Sequence, residues 1–328
     1  MKPARLPDAI CVLVATGAAL AVAGCAMGPT IQGHFERTFT VTGPVHLEIT
    51  NASGDVSVTG GADGKVLVHA DVRASGFAFS APQERLDEVI STPPIEQKGS
   101  TIRIRGELQH LHNVAISYVI EVPRGTDVNS KLASGSQTIR DIRGPVKAVA
   151  ASGFIRVENI ERDVQLHTLS GVIEVNSIGD DVRASSASGA IRLSNIKGDV
   201  RMNALSGGIY ISEPSGRVEA KTASGSLEVA GANSDVSAEA ASGGISVQGN
   251  PGSTAFWELK TVSGIVQLAV PPSANFHLAA DAVSGDIRAD IPIVIEEKGR
   301  HSLRAHLGDG GGRIKVRTVS GEIRVRPS

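Results

Sequence analysis

Arg156, Glu174 and Arg192 fall at equal intervals of 18 along the chain, a spacing that would alternate guanidinium and carboxylate groups along one face of a stacked structure. Enzymes acting on acidic polysaccharides use such arrays, with one group as general acid or base and another holding substrate charge. At about 4.8 Å between stacked strands, alternating signs equally make a solvated face whose charges compensate, each exposed pair contributing about 0–1 kcal/mol. Compensation is the stronger reading, because no Asp-Asp pair recurs at a common outward position. Asp163, Asp181, Asp199 and Asp235 share a phase but precede a strand, where aspartate forms turns. His110-Leu111-His112 offers half a metal site, with no third ligand at a suitable spacing. Gly308-Asp309-Gly310-Gly311-Gly312 lacks the Lys-Ser/Thr ending of a phosphate loop and the repeated Asp of a calcium roll, so it reads as a turn. No catalytic residue, metal site or cofactor is assigned from these groups.

The elements that would position these side chains repeat. Ser-Gly pairs at Ser134-Gly135, Ser152-Gly153, Ser170-Gly171, Ser188-Gly189, Ser206-Gly207, Ser224-Gly225 and Ser242-Gly243 recur at a constant interval of 18. The phase continues at Ser263 and Ser284 after units of 21, and at Ser320 after 36, read as two units of 18. With Ser as position 1, positions 4 and 6 are aliphatic in most units (Ile155 and Val157, Ile173 and Val175, Ile191 and Leu193), and position 5 between them is polar. That period of two makes a half-buried strand. A second run begins at position 13 with Val146, Val164, Val182, Val200, Val218 and Val236, and Gly144-Pro145, Gly179-Asp180 and Gly198-Asp199 mark turns between the runs.

A unit with one apolar side cannot bury it alone, so like units must stack. The pattern predicts a right-handed parallel β-helix, a β-solenoid with coils of about 18 residues, running roughly 50 Å from Ser134 onward. Gly at position 2 suits a corner needing positive φ, and the Ser hydroxyl could bond a corner backbone group. The Ser-Gly pairs are thus structural corners. An antiparallel sandwich fits less well, since its strands sit in unlike environments, whereas here one environment recurs in register.

Lys2 and Arg5 precede an apolar stretch from Ala9 to Val22 and then Val22-Ala23-Gly24-Cys25. The stretch is too short to span a bilayer as a helix, and the order of hydrophobic, small, small and Cys resembles a bacterial lipobox. Residues 1–24 are therefore expected to be a lipoprotein signal peptide. Cys25 becomes the lipidated first residue, with 25–33 as a tether, 34–133 as a less regular N-terminal β region and 134–328 as the regular repeats. Ala26 rather than Asp after the cysteine favours an outer-membrane anchor, on either the periplasmic or the surface side. Cys11 leaves with the leader, so no disulfide remains. Lys and Arg number 32 against 34 Asp and Glu, and loss of Lys2, Arg5 and Asp8 leaves a formal charge of −3, which excludes a nucleic-acid partner on electrostatic grounds.

In the N-terminal region Val45 to Ile49 and Val56 to Val58 alternate around a further corner, Ser53-Gly54, whose distance to Ser134 is not a multiple of 18 and so implies an insertion. Pro82 to Ser91 carries Leu86, Val89 and Ile90 at helical spacing, the pattern of a short cap over one end. Arg313 to Arg326 reads as a polar terminal edge that blocks end-to-end pairing. Aromatic residues are 3% of the chain, against a stacking platform for sugars, with Phe256-Trp257 as the one candidate patch.

Glu36-Arg37-Thr38-Phe39, Asn51-Ala52-Ser53-Gly54-Asp55-Val56, the Val-Pro segments at Val122 and Val270 and the repeated Ser-Gly-x-Ile-x-Val together carry a resemblance. Over nearly the whole mature length the chain resembles the bacterial β-strand-repeat "putative adhesin" family, a domain of unknown function. The resemblance implies an extracytoplasmic β-helix linked to adhesion or to envelope stress. It has no agreed active site, so it transfers no functional residue. The expected function is a non-enzymatic cell-envelope lipoprotein presenting a β-helical surface for adhesion or protein and envelope contact. Expected partners are the membrane through the lipid, an unidentified protein or envelope polymer, and a second copy by self-association. Two alternatives stay open, a periplasmic structural or stress-sensing scaffold and a polysaccharide-active β-helix enzyme.

Overall fold

A coil closes when the chain turns twice per unit, and coils stack when each lies on the last in unbroken register. The computed structural model describes residues 30–76, 82–106 and 113–328; the leader, Cys25 and the His110-Leu111-His112 motif lie outside the described residues. From the N-terminus the elements are β1 (Thr30–Thr40), β2 (His46–Ser53), β3 (Val56–Gly61), β4 (Lys65–Ser75), α1 (Pro82–Ser91), β5 (Ile95–Lys98), β6 (Thr101–Gly106), β7 (Val114–Pro123), β8 (Asp127–Ser134) and β9 (Gln137–Ile142). Two long strands follow, β10 (Val146–Ile160) and β11 (Val164–Ile178). Then come coils of two strands each: β12 (Val182–Ser188) and β13 (Ile191–Ile196), β14 (Val200–Ser206) and β15 (Ile209–Pro214), β16 (Val218–Ser224) and β17 (Leu227–Ala232), β18 (Val236–Ser242) and β19 (Ile245–Gly249). The C-terminal part holds β20 (Phe256–Ser263), β21 (Val266–Val270), β22 (Phe276–Ser284), β23 (Ile287–Ala289), β24 (Val294–Lys298), β25 (Ser302–Leu307), β26 (Gly312–Ser320) and β27 (Ile323–Pro327).

The molecule is a β-solenoid. Ser134 pairs with Ser152, Ser152 with Ser170, Ser170 with Ser188, Ser188 with Ser206, Ser206 with Ser224, Ser224 with Ser242 and Ser242 with Ser263, all in parallel register. Positions 4 and 6 point inward on one wall and positions 13, 15 and 17 on the other, so Ile155, Ile173, Ile191 and Ile209 stack in one buried ladder and Val164, Val182, Val200 and Val218 in another. Each fully buried side chain of this size contributes about 1.5–3 kcal/mol, which no isolated unit could realise. Trp257 enters this interior at position 13, opposite Val236, and its indole N–H donates to the Ser234 carbonyl at 2.7 Å.

Two corners turn each coil. At Ser-Gly the glycines from Gly135 to Gly243 take φ of 124–141°, and a Cβ on Gly171 or Gly189 would overlap the carbonyl oxygen of the glycine one coil before. Glycine is required there by both the left-handed backbone and the close approach. The serine side chains of the seven corners face solvent. The second corner, at position 8, is also left-handed, at Asp141, Asn159, Ser177, Asn195, Glu213 and Gly231, and it delivers position 9 (Ile142, Ile160, Ile178, Ile196) into the core.

Both ends depart from simple stacking. β2 lies between β6 and β8, and β3 between β7 and β9, so the first coil of the chain is inserted beneath later residues. Ser53 consequently sits directly on Ser134, and the chain between them forms the end of the stack. β26 likewise lies between β20 and β22, and β27 between β21 and β23. Arg313 to Arg326 is therefore not the terminal edge expected from sequence; its backbone is paired on both sides. The segment from Ser284 to Ser320 is not two stacked units either, because it leaves the stack as β24 and β25 and returns inside it. Antiparallel strands close both ends: β4 pairs with β7 and β1, β5 with β6, β25 with β22 and β24 with β25. β1 begins at Thr30, so the last residues assigned to the tether are strand. α1 packs on β1 and β4 with Leu86 and Val89 buried.

Gly207→Val should destabilise by at least about 1–3 kcal/mol from backbone strain alone, because its Cβ would strike the Gly189 carbonyl. Ser206→Ala beside it should stay within about 0.5 kcal/mol. Thermal melts followed by circular dichroism distinguish the two.

Candidate functional site

Position 18, the residue before each corner serine, points outward. It carries Leu169, Ala187, Leu205, Ala223, Ala241 and Val262 along successive coils, then Val319 and Val283 on the inserted and following coils. Leu205 is 65% exposed and Val283 71%, although strand patterning places most aliphatics inside. The result is an aliphatic ridge along one edge of the solenoid. Scattered apolar side chains on a surface are ordinary, whereas these are aligned along one edge.

Beside the ridge runs a groove of about 830 Å³ over the coils from β14 to β22. Its floor is the small position-17 row, Ala204, Thr222, Ala240, Thr261, Thr318 and Ala282. Its opposite wall is position 16, where Lys221, Glu239 and Lys260 succeed one another. Lys221 Nζ lies 3.3 Å from Glu219 and 3.5 Å from Glu239, and Lys260 Nζ lies 2.8 Å from Glu258 and 3.4 Å from Glu239. The hydrogen bond to Glu219, with the Glu239 charge, holds the Lys221 ammonium above the usual lysine range. Glu258 does the same for Lys260, and Lys260 in turn lowers the Glu258 carboxyl. Lys221, Glu239 and Lys260 compensate one another, whereas Arg317, in the same row on the inserted coil, makes no ion pair among the described residues. Sequence reasoning passed over the groove, although Leu169, Leu205, Val262, Val283 and Val319 before their serines were the available signal.

The groups singled out for chemistry are placed as follows. Arg156 Nη2 lies 2.9 Å from Glu174 Oε2 on the next coil, and Arg192 stacks over the Tyr210 ring at 5.4 Å. They line a second, smaller groove of about 480 Å³ together with Glu158 and Glu228. Asp181 Oδ1 accepts the Asp199 N–H at 2.9 Å, Asp199 Oδ1 accepts the Arg217 N–H at 3.0 Å, and Asp235 Oδ1 accepts the Phe256 N–H at 2.9 Å. These aspartates bridge one coil to the next. Phe256 is partly exposed while Trp257 is core, so the two make no platform. The Gly308 to Gly312 segment is the turn from β25 to β26, with Gly308 and Gly310 at positive φ.

A family model described as Toastrack DUF4097 matches residues 45–326. No curated protein matches the sequence. Among solved structures, a "putative cell adhesion protein" from Clostridium sporogenes is 11% identical with a TM-score of 0.21, covering 90% of this chain and 100% of its own. A "putative adhesin" from Parabacteroides distasonis is 13% identical (TM-score 0.31), and one from Bacteroides fragilis 11% identical (TM-score 0.34), each covering 89% of this chain and 97% of its own.

The Phe256 N–H, with Arg217 also donating at 2.7 Å, holds the Asp235 carboxyl below the usual carboxylate range. A folded-state pKa below the unfolded one adds stability that is present above about pH 4 and lost as pH falls through the folded value. Asp235→Asn should therefore lower the melting temperature at pH 7, and the gap from the parent should close towards pH 3. A gap independent of pH would contradict the charged role.

Proposed function

The chain belongs to the Toastrack DUF4097 family, and from that premise we propose that it is a non-enzymatic cell-envelope lipoprotein whose side wall serves adhesion to a protein partner. The observation that carries the reading is the aliphatic ridge and the groove beside it. Interface cores are apolar and depleted in charge, as the aliphatic ridge is, and most of the charge beside it is compensated. A protein occupant fits better than a polysaccharide. The groove lining contains no aromatic ring for sugar stacking, and Lys221, Glu239 and Lys260 spend their charges on one another. Arg156 and Glu174 of the second groove are paired with each other, which leaves that carboxylate engaged and weakens the enzyme reading.

Lipidation at Cys25 follows from the leader pattern of Lys2, Arg5, the apolar stretch and Val22-Ala23-Gly24, and Ala26 points to the outer membrane. The described chain starts in β1, at the N-terminal end of the stack. A lipid on Cys25, shortly before that strand, would hold this end near the bilayer. The valine-rich part of the ridge would then stand roughly 50 Å away at ordinary strand spacing.

The test uses cells producing the tagged full chain and a triple variant with Leu205→Asp, Val262→Asp and Val319→Asp. Protease added to intact cells should cut the tagged chain, and attachment to a protein-coated surface should fall at least about tenfold in the variant, the loss of about 1.4 kcal/mol of contact. Its melting temperature should be little changed, because these side chains face solvent. Protection from protease until permeabilisation would overturn adhesion and favour a periplasmic scaffold. Unchanged attachment would remove the ridge from the function.

A further inference from the structure

The C-terminal cap brings two imidazoles and a carboxylate to one point. His277 on β22 stands directly opposite His306 on β25, and His306 is in turn opposite Val294 on β24. Regular alternation along β24 would give Glu296 a partner of its own on β25. Instead the register shifts between Ile295 and Glu297, leaving Glu296 as the extra residue of a bulge. Bulges re-aim a side chain at the expense of ladder pairing and are a common way to build a site at a sheet margin. Here the bulge aims the Glu296 carboxylate at both rings. Glu296 Oε1 lies 2.8 Å from His306 Nδ1 and 3.8 Å from His277 Nδ1, and one donor atom from each residue falls within 4.8 Å of the other two.

We infer that His277, Glu296 and His306 form a binding site for a divalent transition-metal ion of the zinc class, stapling the cap strands β22, β25 and β24 together. With metal–ligand distances of about 2.0–2.2 Å, tetrahedral donors lie about 3.3–3.5 Å apart. The two observed separations bracket that value, so small rotamer shifts bring all three donors onto one ion. Two imidazoles and one carboxylate suit zinc, copper or nickel, whereas calcium and magnesium prefer all-oxygen sites. The His277 ring is backed by Gly310, where a Cβ would overlap Nε2, and this contact leaves Nδ1 turned towards Glu296. A simple ion pair needs one histidine beside Glu296; His277 is a third donor that such a pair has no use for. The site opens to solvent, so water completes the coordination. Sequence reading assigned no metal because the three donors are scattered along the chain and share no motif.

Zinc chloride titrated into the full chain in detergent micelles should bind at one equivalent by calorimetry. It should raise the melting temperature by several degrees and slow hydrogen exchange across residues 294–307. Calcium should do none of these. Glu296→Gln and His306→Ala should each weaken zinc binding at least tenfold, whereas a His110→Ala, His112→Ala double variant should bind like the parent. Melts without metal establish that each variant folds. If a variant does not, the exchange experiment on the unaltered chain decides. Absence of zinc protection at 294–307, or equal binding by the parent and Glu296→Gln, would overturn the site.

Discussion

The approach of backbone to backbone at the Ser-Gly corner is the constraint on which the solenoid depends. From Gly135 to Gly264 each corner glycine lies so close to the corner glycine of the coil before that a methyl group would overlap its carbonyl oxygen. The corner therefore fixes where every coil starts. Once it is fixed, a period of two does the rest, because a slip of one residue would carry the inward row to the outside. The opposite corner is left-handed at a smaller φ, 53–77°, and without that close approach, so its chemistry is less strictly controlled. Ser177 and Glu213 adopt left-handed backbone there at a cost of roughly 1–2 kcal/mol each, which the buried ladder at position 9 offsets.

The ends answer a second demand of stacked strands. A regular solenoid exposes an unpaired edge at each end and invites polymerisation. In this chain the first and last coils are slipped inside the stack, and antiparallel strands close over them. Growth by coil-on-coil addition of another copy would have to displace those closing strands. The side walls are the surfaces that repeat at each coil, and the position-18 ridge runs along one of them.

The repeat, the two runs per unit and the glycine corner were legible because each depends on a residue type that physics restricts: glycine for left-handed backbone, β-branched residues for a half-buried strand. The position-8 corner was not, since Asp141, Asn159, Ser177, Asn195 and Glu213 share geometry without sharing chemistry. The inserted ends were hidden for a different reason. Ser284 and Ser320 keep the corner motif, but periodicity follows the order of the chain and cannot report that Ser320 pairs with both Ser263 and Ser284. Of the candidate site, the leucines and valines before the serines were in plain view, and alanines interspersed with them disguised the row. The His277, Glu296 and His306 convergence depends on a bulge, which leaves no mark in the pattern of residue types.

Deleting one coil tests the stacking account most directly. Removing residues 189–206 joins Ser188 to Gly207 and preserves every inward ladder, whereas removing only 189–197 joins Ser188 to Gly198 and leaves half a coil unsupported. The whole-coil deletion should retain a β-sheet circular dichroism spectrum and a single cooperative melt, and the half-coil deletion should lose the cooperative transition. Equal stability of the two variants, or loss of folding in the whole-coil deletion alone, would contradict a solenoid built from interchangeable coils.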